Sequence, residues 1–149
     1  MGSSALEIEY VSVDSLVPYA NNAKIHTDKQ VSEIANSIEE FGFNDPIGVW
    51  TNKDGETEIV EGHGRVLAAK ELGLNAVPII HLDHLTDEER RAYTHIHNKT
   101  TLTSGFDEDV LSGELAKLDF DWEKFGFEPE EEEVPPFDPE SVEEDEFSD

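Results

Sequence analysis

The sequence predicts an α+β fold, a small mixed sheet flanked by helices. Three observations carry this expectation. Strand-length runs rich in Val and Ile alternate with segments whose apolar residues recur at helical spacing. Two of the strand-like runs are joined by Asn52-Lys53-Asp54-Gly55, which has hairpin-turn chemistry. The second of those runs feeds the glycine turn Gly62-His63-Gly64 and leaves it as a helix-forming segment.

Taken in order, residues 6–13 alternate weakly through Ile8, Tyr10, Val11 and Val13 and predict a first strand. Residues 14–22 read as a loop. Thr27 with Gln30 has capping-box spacing, and Val31, Ile34, Ala35, Ile38 and Phe41 follow at helical spacing until Gly42. Asn44-Asp45-Pro46 is a turn, residues 47–50 a strand and residues 56–60 its hairpin partner. A helix is predicted over residues 66–72, stopped at Gly73. Residues 77–82 form another apolar strand, in which Pro78 suggests an edge position or an irregularity. Thr86 and Glu89 make a second capping box, opening a helix towards Asn98 that residues 100–105 break. A last helix over residues 106–118 carries Val110, Leu111, Leu115 and Leu118 as its apolar stripe, and the aromatic residues 119–127 pack back on the body. Trp50 and Tyr93 read as core or near-core side chains.

Charge narrows the function classes. The net charge is −26. Twelve of the 36 acids and none of the ten Lys and Arg residues lie in residues 128–149, so residues 1–127 carry about −14. Such a surface repels nucleic acid outside a local basic patch, so little direct DNA binding is expected. The acidic, proline-bearing stretch 128–149 reads as a disordered tail, with Phe137 and Phe147 as candidate docking residues for a protein partner. The domain proper is residues 1–127. There are no cysteines, which excludes disulfides and thiol catalysis, and a cytoplasmic location fits. No apolar run reaches membrane-spanning length, and no signal peptide opens the chain.

The glycine turn is the candidate site. A strand entering a helix through glycines gathers unpaired backbone N–H groups at one point, and Arg65 adds a positive charge with a fork of donors. That suits a phosphate or carboxylate. The alternative is that Gly62 and Gly64 merely make the turn while Arg65 pairs with a surface acid. His81, His84, His95 and His97 show no standard zinc spacing.

Several stretches, in order, resemble one family. These are Leu16-Val17-Pro18-Tyr19 with Asn21-Asn22-Ala23, then Phe43-Asn44-Asp45-Pro46-Ile47, then Glu61-Gly62-His63-Gly64-Arg65 with Ala68-Ala69, and His97-Asn98-Lys99. Phe106-Asp107 and Phe125-Gly126-Phe127 look like endings of phage-type and methyltransferase-linked members. Residues 6–127 thus resemble the ParB N-terminal domain, within the ParB/sulfiredoxin fold superfamily, whose members are often described as ParB-like nucleases. The resemblance implies a nucleoside triphosphate, CTP or ATP, with phosphates on Gly62, His63, Gly64 and Arg65, and with Asn98 and Lys99 across the pocket. Glu61 and His63 are the catalytic candidates it leaves. The family's acid before the asparagine is replaced here by His97, so Mg²⁺ is an open addition with no assigned ligands. The missing cysteine argues against sulfiredoxin chemistry. No ParB-type helix-turn-helix or dimerisation domain follows residue 127, which implies a stand-alone module linked to phage or DNA metabolism. Three classes follow: a nucleotide-binding switch that docks a protein partner, an NTPase, phosphotransferase or metal-dependent nuclease, and an acidic interaction protein without catalysis.

Overall fold

The computed structural model describes residues 5–22, 24–103 and 105–127. The element order is β1 (Glu9–Ser12), a 3-10 turn (Val13–Ser15), β2 (Leu16–Val17), α1 (Asp28–Phe41), β3 (Ile47–Thr51) and β4 (Thr57–Glu61). It continues with α2 (His63–Glu71), β5 (Ala76–His81), α3 (Asp87–Thr103), α4 (Glu108–Lys117) and a 3-10 turn (Trp122–Phe125). The five strands form one mixed sheet in the order β1-β5-β3-β4-β2. Pairing is antiparallel for β1 with β5 and for β3 with β4, and parallel for β3 with β5 and for β2 with β4.

The helix caps follow local chemistry. Thr27 accepts a hydrogen bond from Gln30 N (3.0 Å) at the start of α1. Thr86 and Glu89 cap α3 reciprocally, at 2.9 and 3.1 Å. Two clusters of buried residues then place α2. Its Val66 and Ala69 join Ile47, Val49, Ile59, Val77 and Ile79 of the sheet, while Ala68 meets Val31 and Ala35 of α1. Small residues on both faces let α2 lie between the sheet and α1, and this packing aims its N-terminus.

α3 is held against the sheet by polar contacts. Thr94 is buried and donates to Val60 O (3.3 Å). Arg90 is buried between two rings, 4.7 Å from the centroid of Tyr19 and 4.4 Å from that of Trp50, and donates to Asp87 Oδ1 (2.7 Å). Stacking shields a cation that would be costly to bury alone.

Several expectations need correction. β1 is shorter than residues 6–13, because Val13 enters the 3-10 turn capped by Ser12. Leu16 and Val17, read as loop, pair with Thr57 and Glu58. α2 begins at His63 instead of Val66, since Gly62 already makes the turn. β5 lies inside the sheet, and Pro78 is accommodated because the β3 ladder starts only at Ile79. α3 continues to Thr103, because the Thr100 and Thr101 hydroxyls donate to Ile96 O and His97 O within the helix instead of breaking it. α4 starts at Glu108, with Asp107 as its cap, and none of its residues is buried. Of its apolar stripe, Val110 (62%) and Leu118 are exposed, while Leu111 and Leu115 are only half-buried. Tyr93 is exposed and Trp50 half-buried. The aromatic segment does pack back: Phe41 lies 5.5 Å from Phe120 and 5.7 Å from Phe125, and Asn36 donates to Lys124 O (2.7 Å). The expected disorder of residues 128–149 concerns residues outside those described.

This division between core and surface predicts contrasting mutants. Ile79→Ala should cost about 2–5 kcal/mol, the range for emptying a packed aliphatic site. Val110→Ala should change stability by no more than about 0.5 kcal/mol. Urea unfolding followed by circular dichroism measures both; similar losses would show that α4 is part of the core.

Candidate functional site

Glu61 ends β4, and the chain turns at Gly62, whose φ of 110° lies in the left-handed region that disfavours side chains. A Cβ there would also come within 3.0 Å of Ile47 Cδ1. The first backbone hydrogen bond of α2 runs from Val66 N to Gly62 O (3.0 Å), so the amides of His63, Gly64 and Arg65 precede the helical ladder. Gly64 is required for a different reason. A Cβ on it would lie 2.9 Å from His26 Cε1 and 3.1 Å from Ile34 Cδ1. The bare backbone at Gly64 is what lets the loop before α1 approach the start of α2.

These groups line a cleft of about 330 Å³. Its floor is the turn from Gly62 to Arg65. One wall is the loop with Asn22, Lys24 and His26, and the other is the C-terminal half of α3 with His97 and Asn98. Asn98 Nδ2 donates to Asn22 Oδ1 (3.2 Å), tying the two walls together. Lys99, one position along α3, is exposed and does not border the cleft. Lys24 and His26 do, and sequence reasoning passed over both. The available signal was residues 21–26, which carry Lys24 and His26 and no acid in a strongly acidic chain.

Arg65 is held by the protein itself. Its Nε donates to Asp45 O (2.9 Å), and its Nη2 donates to Pro46 O (2.9 Å) and Glu61 Oε2 (3.0 Å). Nη1 is 3.7 Å from Asp45 Oδ2. The guanidinium thus locks the turn before β3 onto the start of α2, and Nη1 is its least engaged nitrogen. Glu61 also faces His97 Nε2 at 4.0 Å. Tyr93 stacks obliquely on His97 with centroids 5.6 Å apart, and the partial burial of its otherwise exposed ring, then the Glu61 charge, raises its hydroxyl above the usual tyrosine range.

His63 Nε2 accepts a hydrogen bond from Tyr19 N (3.1 Å), which puts the ring proton of the neutral form on Nδ1. Burial, with the neighbouring His26 charge adding to it, pushes this imidazole down to about 4. The ring is therefore neutral at pH 7, a single donor with its basic nitrogen already in use. Of His81, His84, His95 and His97, the cleft is bordered by His97. His81 lies between Glu9 (3.2 Å) and Asp83 (3.6 Å), away from the cleft that His97 lines. Among the described residues, no group of three His, Asp or Glu side chains is arranged to hold a metal ion.

A family model described as the ParB N-terminal domain matches residues 2–99. The chain belongs to this family. Its architecture is that of the ParB/sulfiredoxin fold. A relative from Escherichia coli K12, the ParB-like nuclease domain-containing protein YnaK, is 42% identical over 89 residues, covering 60% of this chain and 98% of the relative. The nucleoid occlusion protein of Geobacillus is 30% identical over 93 residues, 62% of this chain but only 33% of that protein. Among solved structures, truncated ParB from Caulobacter crescentus complexed with CTP-gamma-S matches with a TM-score of 0.62 at 26% identity, covering 73% of this chain and 62% of that one. This ParB N-terminal domain therefore spans less than two thirds of the Caulobacter chain and about a third of the nucleoid occlusion protein. The match ends at residue 99, so α4 and the aromatic segment lie beyond it.

The His63 environment has a pH consequence. Below about 6.5 the unfolded chain takes up a proton that the folded ring refuses until about 4. This group's contribution to stability is therefore lost as pH falls from about 6.5 to about 4. NMR titration should place the His63 ring midpoint near 4, with the Tyr19 amide shifting in step; a midpoint near 6.5 would show that the ring is solvated.

Proposed function

We propose that this ParB N-terminal domain binds a nucleoside triphosphate, CTP or ATP, with the phosphates on residues 62–65. One observation carries the reading: three amides without helical acceptors open α2 at the floor of a cleft that Lys24, His26, Arg65 and His97 also line. Helix-start amides and the helix dipole favour an anion, and the lysine and guanidinium add charge. The similarity to a ParB solved with CTP-gamma-S supports a nucleotide in particular. Asn98 closes the cleft from α3 through its bond to Asn22. Mg²⁺ would offset repulsion between a triphosphate and an acidic protein. A bound nucleotide that draws the α3 wall inward would change the surface offered to a protein partner, which suits a switch in phage or DNA metabolism.

A second reading, hydrolysis of a nucleotide or of DNA, is favoured by the name of the Escherichia coli relative, a ParB-like nuclease domain-containing protein. In that reading Glu61 is the group placed to take a proton from water, because the Nε2 of His63 is already occupied. Against DNA as the substrate stands a net charge of −26, which leaves little counterion release to drive binding.

Calorimetric titration with CTP, ATP and GTP tests the first reading. Wild type should bind at least one of them. Gly64→Ala should abolish binding, since the new methyl displaces His26 into the cleft. Arg65→Ala should weaken binding by about 1.5–3 kcal/mol, and Arg65→Lys should restore only part of it. Lys99→Ala should leave affinity unchanged. No binding of any nucleotide to folded wild type would remove the reading.

A mobility-shift assay tests the second. Duplex DNA should bind weakly at physiological salt. Cleavage that disappears in Glu61→Gln would replace nucleotide binding with nuclease action as the function.

A further inference from the structure

Resting on the nucleotide reading above, we infer that His97 takes up a proton when a polyphosphate enters the cleft, so that binding is proton-coupled and proceeds without a divalent cation. The cleft holds two carboxylates, Glu61 and Asp45, and Arg65 engages both, at 3.0 and 3.7 Å. The remaining charged or chargeable side chains that border it are nitrogen groups: Lys24, His26, His63 and His97. Each of these carries a positive charge or can take one up.

Three imidazoles compete for the proton, and their surroundings separate them. His63 offers Nε2 to the Tyr19 amide and is half-buried beside His26, an arrangement that favours its neutral form. His26 turns Nδ1 to the amide oxygen of Gln30 (3.0 Å) and lies over Gly64; among the described residues no carboxylate is bonded to it. His97 faces the Glu61 carboxylate at 4.0 Å, from the wall opposite the loop that carries Lys24.

The groups around His97 come from every neighbouring element. Glu61 ends β4, Arg65 on α2 is paired with Glu61, Tyr93 lies one turn earlier on α3, His63 is on the cleft floor, and Lys24 and His26 lie across the cleft. Without ligand, the Lys24 cation across the cleft opposes a charge on His97 and Glu61 favours it. A polyphosphate neutralises Lys24 and adds its own attraction, so both changes favour the imidazolium. The proton comes from solvent and no bond is broken. His97 thereby does the charge-balancing that a divalent cation does elsewhere.

Titration of CTP, ATP and inorganic tripolyphosphate at pH 6, 7 and 8, in EDTA and in Mg²⁺, tests this. Two buffers of different ionisation enthalpy report proton uptake directly. Wild type should bind in EDTA, tighten towards pH 6 by up to about tenfold per pH unit, the limit for one coupled proton, and show buffer-dependent heats. His97→Gln should lose the tightening and the proton uptake. Titration of the ligand's own phosphate is common to both proteins and cancels in the comparison. His97→Lys should bind well at pH 8 with a flattened profile. His97→Glu should bind only with Mg²⁺, since a second carboxylate beside Glu61 needs a cation.

If wild type binds a nucleotide but only with Mg²⁺, or if His97→Gln keeps the wild-type pH profile and proton uptake, the inference is overturned while nucleotide binding stands. If wild type binds none of the three ligands in any condition, both fall.

Discussion

The left-handed backbone at Gly62 is the constraint on which the site depends. It ends β4 and starts α2 within one residue, so the first amides of the helix stand at the C-terminal end of β4 ahead of the helical ladder. Ile47 and Arg65 both crowd the space that a Cβ at this position would fill. The same residue therefore needs an unusual φ and an absent side chain. Packing then fixes where the turn points: Ala69 and Val66 bind α2 to the sheet, and Ala68 binds it to α1.

Electrostatics at the cleft runs against the character of the chain. A protein of net charge −26 concentrates Lys24, Arg65 and three histidines around one 330 Å³ cavity. Arg65 is central to this, although not as a free fork. It spends most of its donors on Asp45 O, Pro46 O and Glu61, which holds the loop before β3 against the start of α2. Its charge is positioned by bonds that also position the walls.

Polar and aromatic contacts carry the periphery. Arg90, stacked between Tyr19 and Trp50, joins α3 to the segment whose Tyr19 amide holds His63. The Phe41, Phe120 and Phe125 rings close the outer side of α1 with residues beyond the family match. α4 adds no fully buried residue, and Trp122 Nε1 donates to Leu115 O (3.1 Å), which ties it to the aromatic segment.

The sequence by itself determined what depends on neighbours along the chain. The Thr27 cap, the Thr86–Glu89 capping box, the Asn52–Gly55 hairpin turn, the strands on either side of it and the glycine turn were legible, because a few consecutive residues set their backbone angles and caps. So was the family, from motifs kept in order. The tertiary structure decided what depends on distant partners. Pro78 fits an inner strand because β3 begins opposite Ile79, and β2 exists only because β4 lies beside it. The α4 stripe reads as core by spacing, yet among the described residues it is covered only in part: Leu111 and Leu115 are half-buried, Val110 and Leu118 exposed. At the site, sequence order suggested Lys99 beside Asn98, but the helix turns it away, and Lys24 and His26 enter from a loop nearly forty residues before Gly62. No spacing rule encodes that approach; it follows from the missing Cβ at Gly64, which lets two elements remote in sequence meet.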